Sequence, residues 1–137
     1  VPLYERALEL QPDNVIAMNN LAWILSQDFG EHAKALQLAD KGLAQAPHYT
    51  DLMDTRGNIY FALGQYEKAA EDFKAAVDGY RDSQPQKTVS LFYLGQCLKR
   101  LGQNEQAMNE FYRARDFDEK TGGLSSQQRE ELTEILQ

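Results

Sequence analysis

Cysteine is nearly missing from this sequence: Cys97 stands alone among 137 residues. A single thiol cannot close an internal disulfide or build a CxxC metal framework. Basic residues are also short, 14 Lys and Arg against 21 Asp and Glu, for a net charge of −7. That balance argues against nucleic acid, or an anionic membrane, held by bulk charge. Long apolar runs are lacking. The longest, Leu21 to Leu25 and Ile59 to Leu63, fall far short of the ~20 residues that carry a helix across a bilayer, so no membrane insertion is expected. Histidine is scarce, and His32 and His48 are not spaced as a helical metal pair. No HExxH, GxSxG or phosphate-loop pattern appears. The run Asp116, Asp118, Lys120 fails as a calcium loop, because Thr121 and Gln127 stand where glycine and glutamate are needed. The sequence therefore predicts no enzyme, no metal and no cofactor.

What is present is a repeat. Pro12, Pro47 and Pro85 fall 35 and 38 residues apart, and small residues keep step with them. Ala22, Gly57 and Gly95 form one column, Ala35, Ala69 and Ala107 a second, Ala7, Gly42, Ala76 and Ala114 a third. Large residues fill others: Leu25, Tyr60 and Leu98, then Tyr4, Phe73 and Phe111, with Ala39 as a small exception. Within each unit the apolar residues recur at three- and four-residue steps, as helices require. Gly30, Gly64 and Gly102 sit where a helix ends in a left-handed residue. The spacing predicts helices near 2–10, 15–28, 31–45, 50–63, 66–80, 86–101, 104–117 and 125–136, and no strands.

These columns resemble the tetratricopeptide repeat, whose unit is about 34 residues of paired helices. Segment 50–86 matches through Met53, Gly57, Tyr60, Gly64, Tyr66, Ala69, Phe73 and Ala76. Segment 88–119 matches through Leu91, Leu94, Gly95, Leu98, Gly102, Ala107, Phe111 and Ala114, and 15–49 through Met18, Leu21, Ala22, Leu25, Ala35, Gly42 and Pro47. Arg56, Asn104 and Glu119 depart from the pattern, and residues 81–85 carry a three-residue insertion. The resemblance implies an all-α superhelix, a solenoid of antiparallel hairpins in a single domain. Its divisions are 1–14 (second helix of a truncated repeat), 15–49, 50–86, 87–119, and 120–137 (linker and capping helix). Ser125 with Gln128 three residues on forms a capping-box pattern. Leu132, Ile135 and Leu136 are expected to cover the last hairpin, with Arg129, Glu130, Glu131 and Glu134 facing water. The unpaired opening helix suggests the C-terminal part of a longer array.

The resemblance also implies a concave groove lined by first helices, which holds a peptide or a partner helix. Carried over by position, it would present Asn19, Asn20 and Trp23, then Asp54, Asn58 and Phe61, then Phe92, Tyr93, Gln96 and Arg100. Trp23, Phe61, Phe92 and Tyr93 lie off the core columns and are expected to be exposed. Exposed rings beside amides suit peptide recognition. The two-carboxylate clamp that some family members use for chaperone tails is not expected, because Asn19, Trp23, Thr55, Val89 and Tyr93 supply no cation. The reading is a non-catalytic scaffold for protein or peptide partners. Alternatives are an accessory array of a larger enzyme such as a glycosyltransferase, and a self-assembly module that forms homo-oligomers through the truncated N-terminal repeat.

Overall fold

A computed structural model describes residues 2–137. Among them are eight helices and no strand: α1 (Pro2–Leu10), α2 (Val15–Gln27), α3 (His32–Gln45), α4 (Thr50–Ala62), α5 (Tyr66–Gly79), α6 (Pro85–Arg100), α7 (Asn104–Thr121) and α8 (Ser126–Ile135). The chain divides into two compact units, residues 1–65 and Tyr66–Gln137.

In the first unit, Asn14 caps α2 by accepting the Ala17 amide at 3.0 Å. The helix ends where Glu31 N–H bonds back to Leu25 O at 2.8 Å around Gly30, whose φ is +67°. That bond satisfies a carbonyl the helix leaves open and turns the chain into α3. His32, the first residue of α3, shares a 2.9 Å hydrogen bond with buried Ser26 and ties the two helices at their turn. Leu21, Ala22 and Leu25 of α2 pack with Ala35, Ala39 and Leu43 of α3, and with Leu52 and Ile59 of α4. Gly42 admits α4 closely: a Cβ there would collide with Leu52 Cδ2. Burying each of these larger side chains is worth roughly 1.5–3 kcal/mol.

The second unit repeats this logic with larger rings. Gly95 leaves room for Phe111, because a Cβ on it would come within 2.6 Å of that ring. Phe111 is fully buried and packs with Leu91, Ala107 and Ala114. Two boundaries differ from expectation. Pro85 opens α6, two residues ahead of the expected repeat boundary, because proline suits the first helical turn where its missing N–H has no partner to lose. The insertion before it forms a turn, closed by Arg81 N–H to Gln84 Oε1 at 2.8 Å and Lys87 to Asp82 at 2.8 Å. At the other end α7 continues to Thr121, whose hydroxyl donates to Phe117 O at 2.8 Å, and stops at Gly122 with φ +73°. Ser125 and Gln128 then form the capping box that starts α8. Leu132 is buried in the same cluster as Phe111, with Ile135 and Leu136 packed against it. Arg129 is exposed, and its guanidinium also binds Asp118 through two hydrogen bonds of 2.7 and 3.2 Å.

Candidate functional site

The first unit presents one face of α2 and α4. Trp23 stands ~200° around α2 from Leu21 at 100° per residue, so burying Leu21 turns the indole outward. Trp23 is 42% exposed and Ile16 62%, with Asn20 half-buried between them. Asn19 does more inside the unit than expected. Its carboxamide oxygen accepts from the hydroxyl of buried Thr55 at 2.5 Å, joining α2 to α4. Burial, reinforced by the charge of Asp51, raises the Tyr49 pKa above that of a free tyrosine, and a side-chain hydrogen bond with Asn19 partly opposes the shift. Asn58 is a correction: it is buried, and its Nδ2 donates to the Asp54 carbonyl one turn back at 3.0 Å. An amide satisfied by its own helix has less to offer a ligand. Asp54 and Phe61 are half-buried.

In the second unit the expected residues lie along α6. Phe92 is the second correction: at 2% exposure it is core. Its ring meets Phe111 edge-on at 6.1 Å and Tyr93 at 5.7 Å, in a cluster that includes Leu124 and Leu132 from the linker and α8. The C-terminal segment therefore consumes a ring that spacing alone placed on the surface. Tyr93 and Gln96 remain half-buried, with Tyr93 stacked on Phe73 at 5.5 Å. Arg100 is exposed and lies over the Tyr66 ring at 5.5 Å.

Two grooves on the second-helix side were missed by the sequence reading. One, of about 250 Å³, runs over Leu21 and Leu25 beside α3. The other, of about 400 Å³, runs between α5 and α7 over Leu94 and Leu98. Their floors are residues that the repeat columns assign wholly to the hairpin interior. The signal available was the rim, Lys34, Leu38 and Lys41 on one stripe of α3.

Paired helices with small residues at each crossing, repeated in register, are the arrangement that the comparisons with known proteins match. Residues 49–120 match the tetratricopeptide repeat family, and residues 3–37 match it separately. The chain belongs to the tetratricopeptide repeat family. Among solved tetratricopeptide structures, one is YrrB, described as having an unusual peptide-binding site. It matches with a TM-score of 0.75 at 25% identity over 85% of this chain and 57% of that one. MamA from Desulfovibrio magneticus RS-1 matches at 0.73 and 21% identity, over 87% of this chain and 64% of its own. The Sgt2 tetratricopeptide domain of Aspergillus fumigatus matches at 0.73 and 21%, over 88% and 76%. At that identity the last two speak for the fold alone. The chain spans little more than half of YrrB. No curated protein matches it. No described helix is long and apolar enough to cross a membrane.

Proposed function

We propose that this tetratricopeptide repeat chain is a protein-interaction module whose α2/α4 face receives a peptide or helix of a partner. The observation that carries the reading is Trp23, an indole 42% exposed on a helix whose opposite stripe is buried. Asn20 beside it offers an amide to a peptide backbone, and Asp54 and Phe61 on α4 supply charge and apolar area. Along α6, Tyr93, Gln96 and Arg100 form a second set of contacts of the same kind. Family membership supports the reading, as does the peptide-binding site described for YrrB.

Trp23 is the sole tryptophan, so it reports on its own face. Peptides selected from a displayed library should shift its emission to the blue in a saturable way, and Trp23→Ala should weaken their capture while leaving helicity unchanged. Selected peptides that bind without altering Trp23 emission, and bind Trp23→Ala equally well, would refute the proposal. A second reading, association of copies through α1, is favoured by Leu3 and Leu10, which are 84% and 68% exposed two turns apart. Light scattering over a concentration series tests it, and a monomer throughout would dispose of it.

A further inference from the structure

The groove beside α3 differs in kind from the face just described. Leu21, Leu25 and Leu38 line it, and its remaining lining residues are Lys34, Gln37 and Lys41. No carboxylate is among them. Lys34 and Lys41 are both exposed, and neither makes an ion pair or hydrogen bond among the described residues. They stand seven residues apart, two helical turns or ~10 Å along α3. In a chain of net charge −7, two unpaired cations bracketing three leucines form a local reversal of sign. Phe29, 61% exposed, extends the Leu21 and Leu25 stripe one turn further in sequence.

The second unit supplies an internal comparison. In the equivalent groove over Leu94 and Leu98, Glu110 takes the place of Leu38 and Arg113 that of Lys41. Those two pair with each other at 3.0 Å, and Glu71, Lys74 and Asp78 of α5 share the rim. That groove also has an apolar floor, but the charges of both signs on its rim largely neutralise one another. The one in the first unit is apolar and uncompensated.

We infer that the α2/α3 groove docks an acidic amphipathic segment of a partner protein, with apolar side chains over Leu21, Leu25 and Leu38 and carboxylates at Lys34 and Lys41. The leucine floor requires apolar area to be buried, which a free anion or a nucleic acid backbone does not provide. The cations select carboxylates over ammonium groups, and the lysine stems cover the edges of the apolar contact. Because Trp23 lies on the far side of α2, this surface is independent of the α2/α4 face, and either proposal can fail alone.

The test uses the whole 137-residue chain, labelled with ¹⁵N, and two probe peptides of about three helical turns. One carries leucines on one face flanked by glutamates; its twin carries lysines instead. The glutamate peptide is expected to shift the amides of residues 21–25 and 34–41. Its affinity should fall roughly tenfold in Lys34→Glu with Lys41→Glu, and should weaken as salt is raised. Circular dichroism should show that the substituted chain keeps its helices, since both lysines are exposed. The inference is overturned by failure of the glutamate peptide to bind, by equal binding of the twin, or by indifference to the double substitution. Shifts confined to Asn20 and Trp23 or to residues 94–113, or a groove filled by a second copy of the chain, would overturn it equally.

Discussion

A single methyl group separates tolerance from disruption in the α6–α7 hairpin. Replacing Gly95 by alanine relieves about 1 kcal/mol of helix entropy, but its Cβ would lie 2.6 Å from a Phe111 ring that is fully buried and cannot withdraw. Overpacking costs about 1–3 kcal/mol, so Gly95→Ala should be net destabilising in urea unfolding, and less so in a Phe111→Leu background. A stabilised Gly95→Ala would show that the ring has room. Thr88 carries the opposite expectation. It is fully buried and its hydroxyl has no hydrogen-bond partner among the described residues, so the isosteric Thr88→Val should raise stability by about 1 kcal/mol. Cys97 is also fully buried, and burial pushes its thiol pKa up to about 12. A thiol-specific disulfide reagent at neutral pH should therefore label it only through opening of the fold. Labelling as fast as in denaturant would contradict this. Its inertness was legible from its place beside the Leu98 column; the missing partner of Thr88 was not, because hydroxyl satisfaction depends on neighbours outside the helix.

At the scale of elements, a helix turns one stripe inward, and which stripe depends on what packs there. Trp23→Ala should change stability by no more than ~0.5 kcal/mol, as exposed substitutions do. Phe92→Ala should cost about 3–5 kcal/mol through loss of a buried ring; comparing their melting curves checks both. The two rings looked equivalent in the sequence, each off the core columns of a first helix. They diverge because Leu124 and Leu132 share the Phe92 cluster. The segment that brings them there is held by Asp118, which accepts from Leu124 N at 3.2 Å and from Arg129 at 2.7 Å. Chiefly the Arg129 hydrogen bond keeps the Asp118 carboxyl below its ordinary pKa. The unfolded chain thus binds the proton more readily than the folded one. The contribution is complete above the ordinary value of about 4 and is lost as pH falls through the depressed folded value. Asp118→Asn should lower stability by about 1 kcal/mol at neutral pH and flatten the acid limb of Tm against pH below about pH 4. An unchanged acid limb would remove Asp118 from this role.

Across the whole molecule there are two cores, one drawn from α2, α3 and α4 and one from α5 to α8, with no buried residue in common. Stability in repeat proteins is a sum of local terms. Phe92→Ala should therefore speed amide exchange in residues 66–137 well before residues 1–65; uniform acceleration would mean that the chain opens as one. The residues alone determined the helices, their ends and the repeat, because these rest on chemistry within a few positions: Asn14 and Ser125 as caps, Gly30 and Gly102 at positive φ, alanine and glycine at each crossing. They also placed Trp23 outward, since its opposite stripe is the repeating core. Tertiary structure alone decided that Phe92 and Asn58 turn inward, that Asn19 joins two helices, and that Lys34 and Lys41 frame an apolar groove. Those outcomes depend on contacts between segments far apart in the chain, which no local spacing specifies.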